Sequence, residues 1–299
     1  MSDNTNLNKA LAARNDEFYT PREYVDQIID FMKDYLRGKK VYCNCDMPWS
    51  EFTKAFIERY KELGLAGLKC TGVDQNDFSG TLTEYDGKEV KYIKLLWSGS
   101  FDSYECTDIL NNWADVCISN PPFSIIKNYY NVLKQSGKDF VFISPLNVLH
   151  YKGFVEDYVS GKISYIYSDF FFRNASEFVC GNEKKNVRNQ LCTNIKELSR
   201  YKQYRLSKKL DDGFMYLDQT YMGERILNVD KSSDIPVDYA GYMAVPITNM
   251  VTIDLKKKFD VIGLVERPIT ESDPSIDGKI IYERLIIRNK HCDGKPIEL

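Results

Sequence analysis

Histidine is nearly missing from this 299-residue chain, which carries only His150 and His291. Hydrolysis by a triad needs a positioned imidazole beside a nucleophile, so that class is disfavoured from the start. Long apolar runs are missing too. Nothing approaches the roughly 18 consecutive apolar residues of a membrane span, and the first residues, Met1-Ser2-Asp3-Asn4-Thr5-Asn6, lack the charged-then-apolar layout of a signal peptide. A cytoplasmic protein with no membrane partner is expected. Paired cysteine motifs are also lacking. Of the eight cysteines, Cys43 and Cys45 are separated by one residue rather than the two to four of a zinc knuckle, and no second pair follows. Several cysteines sit inside apolar strand-like runs, so buried free thiols are expected, with neither a metal site nor disulfides.

Overall basicity is absent as well. The net charge is -3, yet between Lys184 and Lys209 nine basic residues face the single Glu197, a local charge of +8. Such a window can hold a phosphate backbone while the remainder stays acidic. What the chain does have is a core: 43% of residues are hydrophobic and 13% aromatic. That suffices for one large domain, or for a core of about 200 residues with an appendage.

The central stretch is Asp115 to Phe123. Val116-Cys117-Ile118 reads as a short buried strand, cut off by Ser119-Asn120 and the pair Pro121-Pro122. The prolines stiffen the exit, and the Asn120 amide both donates and accepts hydrogen bonds, an assembly suited to gripping a planar amino group. Upstream, Thr20-Pro21-Arg22-Glu23 has the form of a capping box opening a helix, with Val25, Ile28, Ile29, Met32 and Leu36 on one face and Gly38 as its stop. Lys40 to Pro48 reads as a first core strand ending in polar residues. A helix capped by Ser50 and a strand at Leu68 to Asp74 follow. Strand, helix and strand with short joints imply a parallel sheet with ligands at the strands' carboxyl ends, where Asp46 and Asp74 fall. In a nucleotide-binding sheet of this kind Asp74 is the favoured acceptor for a ribose diol. The bland alternative is that it opens the polar turn Asp74-Gln75-Asn76-Asp77. Thr81 to Leu96 patterns as a hairpin about Asp86-Gly87. Further strands are expected at Phe140 to Ile143, Ile163 to Tyr167 and Gln190 to Ile195, and beyond residue 200 the texture turns to tyrosines, loops and short β runs.

In order, Asp16-Glu17-Phe18-Tyr19-Thr20, Val41-Tyr42-Cys43-Asn44-Cys45-Asp46, Asn120-Pro121-Pro122-Phe123, Val245-Pro246-Ile247-Thr248 and Phe259-Asp260-Val261-Ile262-Gly263 span nearly the whole chain. This arrangement resembles the EcoRI-type adenine-specific DNA methyltransferases. The Cys-Asn-Cys-Asp segment is the more diagnostic part, because most cofactor-dependent methyltransferases carry a glycine-rich turn there instead. One departure is Met47, where the family tends to have a second acidic residue, so the division of cofactor contacts between Asp46 and Asp74 stays open.

The resemblance implies an α/β fold: a Rossmann-like class I methyltransferase sheet, mostly parallel and seven-stranded with its last strand reversed, and a smaller C-terminal recognition region. Residues 1–14 are expected to be disordered, 15–199 to form the catalytic domain and 200–299 the target-recognition or packing region. It further implies S-adenosyl-L-methionine as cofactor, held by Tyr19, Thr20, Asn44, Asp46, Asp74, Phe101 and Asp102, with Asp102 facing the cofactor's adenine amino group unless it is merely an exposed acidic turn. Asn120, Pro121, Pro122 and Phe123 would be catalytic toward the N6 amine of an adenine flipped out of double-stranded DNA. Lys184, Lys185, Arg188 and Asn189 would contact the DNA. A cognate restriction endonuclease and a monomeric state are the implied associations. Two other readings remain: the same loop acting on RNA or on a protein glutamine, and a non-catalytic nucleic-acid-binding protein that kept the fold.

Overall fold

The computed structural model describes residues 20–74, 77–169, 176–180, 183–266 and 269–299, with backbone alone for 176–180 and 183–187. The chain divides into two compact units, Met1–Pro145 with Asp169–Leu198, and Leu146–Ser168 with Ser199–Leu299. Among the described residues no helix is long and apolar enough to cross a membrane.

The first unit is built on a sheet. Helix α1 (Arg22–Leu36) buries Tyr24, Val25, Ile28, Ile29, Met32 and Leu36, the expected apolar stripe. Its start differs from the expected capping box. Pro21 itself takes the cap position, in extended conformation, and no side chain caps the helix. Proline's fixed φ and missing N–H already suit a helix start, and Thr20 is freed for another use. Helix α2 (Glu51–Leu63) is capped as expected, Ser50 accepting the Thr53 N–H at 3.1 Å, and is stopped by left-handed Gly64.

Strand β1 (Lys40–Cys43) pairs in parallel with β2 (Gly67–Val73) on one side and β5 (Val116–Ser119) on the other. The intervening hairpin, β3 (Gly80–Tyr85) and β4 (Val90–Lys94), folds back antiparallel onto β2. Its turn is held by Asp86, whose carboxylate accepts the Lys88 and Glu89 N–H groups. Strand β6 (Asp139–Pro145) continues the parallel array beyond β5. The strand Asn189–Thr193 then pairs antiparallel with β6, the expected reversal. Every residue of β5 is buried, as befits an apolar strand enclosed on both edges. The order β2-β1-β5-β6 makes the chain leave β1 in one direction and β5 in the other, so the crevice at their carboxyl ends is a topological switch point.

The second unit carries a five-stranded sheet, in the order Tyr216–Tyr221, Glu224–Asn228, Tyr242–Pro246, Arg284–Asn289, Phe259–Leu264. Its core includes Leu217, Ile226, Tyr242, Ala244, Val265 and Ile286. A small hairpin, Ser275–Ile276 with Lys279–Ile280, turns through Asp277 and Gly278 at positive φ and is tied to the sheet by the Asp218 carboxylate.

Candidate active site

The carboxyl ends of β1, β2 and β5 open onto a cavity of about 420 Å³, within the range of small-molecule and cofactor sites. Four segments wall it: Thr20 before α1, Asn44 to Phe52 after β1, Gly72 and Val73 with the loop Gly99-Ser100-Phe101, and Asn120, Pro122 and Ile125 after β5.

The turn after β1 supplies the polar floor. Asp46 is 4% exposed. Its backbone N–H bonds the Thr71 carbonyl at 2.8 Å, and its Oδ2 accepts the Ser119 hydroxyl at 2.8 Å. Burial pushes its pKa up to about 6, against the opposing hydrogen bonds from Ser119 and Ser50. Beside it Asn44 is 1% exposed and accepts the Tyr129 hydroxyl through Oδ1 at 2.8 Å. Among the described residues, the Asn44 Nδ2 and the Thr20 Oγ1 are buried without a hydrogen-bond partner, and both residues line this cavity. Buried polar atoms are costly unless satisfied, so these two residues of the cavity lining are suited to hold a polar ligand.

The opposite wall depends on close backbone approach. Gly99 stands at φ +72°, and a Cβ there would lie 2.5 Å from the Gly72 carbonyl oxygen and 2.7 Å from the Gly80 Cα. Only glycine at this point lets the loop lie against β2 and β3 and carry Phe101 to the cavity. The Phe101 ring is seated edge-on against Tyr129, centroids 5.2 Å apart.

Comparison with known proteins shows the family. The profile of the family described as adenine-specific methyltransferase EcoRI matches residues 6–290. The chain belongs to that family. It is therefore an adenine-specific methyltransferase, the family that the motifs resemble. Type II methyltransferase M.EcoRI of Escherichia coli is 30% identical to it across 95% of this chain and 96% of its own length. Type II methyltransferase M.MpnI of Mycoplasma pneumoniae is 26% identical across 95% and 98%. No solved structure gives a significant match.

Most of the methyltransferase residues singled out in the sequence converge. Thr20, Asn44, Asp46, Phe101, Asn120 and Pro122 share the one cavity. Pro121 is buried, and Phe123 is half-buried where it opens the short helical turn Phe123–Ile125 leading into α3 (Ile126–Ser136). Asp74 and Asp102 do not reach the wall. Asp74 sits in the turn after β2, its N–H bonded to the Ser79 carbonyl and its own carbonyl to the Phe78 N–H, which is the turn-forming alternative. Asp102 is exposed, and its carboxylate is taken by Ser100 and Asn128. Tyr19 lies outside the described residues.

Of the expected DNA contacts, Arg188 is exposed. Lys184 and Lys185 lie on the hairpin strand Glu183–Val187, whose side chains are outside the described atoms. Asn189 is fully buried and paired in the sheet opposite Pro145 of β6. Trp49, Ser50 and Glu51 join the wall without having been expected there. In the sequence they read as the ordinary start of α2, and only the parallel placement of β1 against β2 and β5 turns that start toward the cavity.

Proposed function

We propose that the chain transfers a methyl group from S-adenosyl-L-methionine to the N6 amine of an adenine flipped out of double-stranded DNA. The observation that carries the reading is that Asn120, at the end of β5, opens onto the same cavity as the buried group Thr20, Asn44 and Asp46. Those three fit the amino-acid end of the cofactor. A buried carboxylate suits its ammonium, and the orphaned Asn44 amide and Thr20 hydroxyl suit its carboxylate. Phe101, Trp49 and Ile125 offer apolar surface to its nucleoside end, and Glu51, bonded to Lys54 at 2.8 Å, lines the wall where Asp74 does not reach. The bound cofactor supplies an electrophilic methyl group on a sulfonium.

The chain's own task is to make a weak nucleophile react. The adenine amine is planar because its lone pair is delocalised into the ring. Asn120 Oδ1 and the Pro121 carbonyl accept its two hydrogens, so the nitrogen moves toward tetrahedral geometry, and the same acceptors stabilise the positive charge that develops. Two consecutive prolines hold those acceptors in place without reorganisation. Flipping costs a few kcal/mol, and stacking on Phe123 returns about 1–3 kcal/mol of it. The basic window that includes Lys184, Lys185 and Arg188 holds phosphates, and residues 200–299 select the target sequence. A monomeric enzyme acting alongside a cognate restriction endonuclease completes the proposal.

Methylation-sensitive sequencing of DNA from cells expressing the protein tests base, position and sequence context together. N6-methyladenine at one recurrent sequence is expected, and Asn120→Ala should abolish it while leaving cofactor binding in place. Methylation of RNA or of protein glutamine instead, or wild-type turnover by the variant, refutes the reading.

A further inference from the structure

The amide of Asn44 has two faces, and the structure uses them unequally. Its Oδ1 is occupied by the Tyr129 hydroxyl at 2.8 Å, while its Nδ2 is buried without a partner among the described residues, and Asn44 lines the cavity. Tyr129 comes from α3, 85 residues further along the chain, and is itself fully buried. Its hydroxyl lies 3.7 Å from the Cys117 Sγ, and the Cys117 sulfur also accepts the Asn44 backbone N–H. An amide flipped by half a turn would instead turn its oxygen toward a wall that includes the buried Asp46. The donated Tyr129 hydrogen favours the orientation that presents N–H groups there.

We infer that Tyr129 is a positioning residue: by fixing the Asn44 amide it makes that residue a donor to the carboxylate of the bound methyl donor, and so sets affinity without touching ligand or substrate. The inference rests on the cofactor reading above. Phe101 and Phe142 pack edge-on against the Tyr129 ring at 5.2 and 5.5 Å, so Tyr129→Phe keeps those ring neighbours and removes the hydroxyl alone. The amide then loses its preference between the two orientations.

Two ligands isolate the effect: S-adenosylhomocysteine, which keeps the carboxylate, and methylthioadenosine, which lacks the amino-acid end. Isothermal calorimetry on the full chain should show Tyr129→Phe binding S-adenosylhomocysteine roughly tenfold more weakly, the size of a lost hydrogen bond to a charged group. Methylthioadenosine binding should be unchanged, and KM for the methyl donor should rise while kcat holds. In an Asn44→Ala background Tyr129→Phe should cost nothing further, because the two act as one unit. Equal weakening of both ligands, or full additivity with Asn44→Ala, overturns the inference and leaves Tyr129 as core packing. Failure of the wild type to bind S-adenosylhomocysteine at all would instead overturn the cofactor reading, and this inference with it.

Discussion

Ser119, the last residue of β5, gives its hydroxyl hydrogen to Asp46 Oδ2 at 2.8 Å and accepts the backbone N–H of Cys45 at 3.1 Å. A single side chain therefore joins two strand ends of the switch point and fixes the carboxylate between them. The hydrogen bond offsets part of the cost of burying that charge, but not all of it, since the Asp46 pKa stands at about 6 rather than its ordinary 3.8.

A pH dependence of stability follows. Because the folded-state pKa exceeds the unfolded one, the folded protein binds more protons between about pH 4 and 6, and stability contributed by neutral Asp46 is lost as pH rises through that window. Above it, the ionised group costs the ligand-free protein up to about 3 kcal/mol. Asp46→Asn should therefore raise Tm at pH 8 by several degrees and change it little at pH 4, while weakening cofactor binding. Thermal melts at both pH values measure this, and an equal effect at each would contradict the assignment.

The loop at Gly99 makes a second test of stability. Gly99→Ala puts a methyl against the Gly72 carbonyl and the Gly80 Cα at a left-handed φ, and both neighbours are backbone that no rotamer change can clear. A loss of about 2 kcal/mol or more is expected, read as a lower urea midpoint. Cofactor affinity should fall with it, since Gly72, Gly99, Ser100 and Phe101 share the cavity wall. An unchanged midpoint would show that the loop does not depend on this approach.

Charge reversal in the basic window separates holding DNA from reading it. Lys184→Glu, Lys185→Glu and Arg188→Glu together should weaken binding to every DNA sequence alike and reduce the salt slope by about one for each phosphate no longer neutralised. Binding titrations over a range of salt concentrations measure both. A slope equal to that of the wild type would place the phosphate-binding residues elsewhere.

What the sequence could show follows from the range over which its signals act. The apolar stripe of α1, the Ser50 cap, the Asp86-Gly87 hairpin and the Val116–Ile118 strand with its proline exit depend on neighbours within a few residues, and each forms where the local pattern places it. The reversed strand Asn189–Thr193 was legible too, though the burial of Asn189 was not: it depends on which strand lies alongside, here β6. Thr20 departs from its capping pattern for the reverse reason. Its local sequence is correct for a cap, but Pro21 takes that position and Thr20 lines the cavity.

By itself, then, the sequence determined the family and the elements around the Asn120–Phe123 loop, because those are recorded in contiguous motifs. Only the tertiary structure decided which residues share the site. Parallel register brings Asp46 to Ser119 across 73 residues and Asn44 to Tyr129 across 85, turns Trp49 and Glu51 inward and leaves Asp74 and Asp102 in their turns. No local propensity reports such a meeting, since it is set by which strand ends lie side by side.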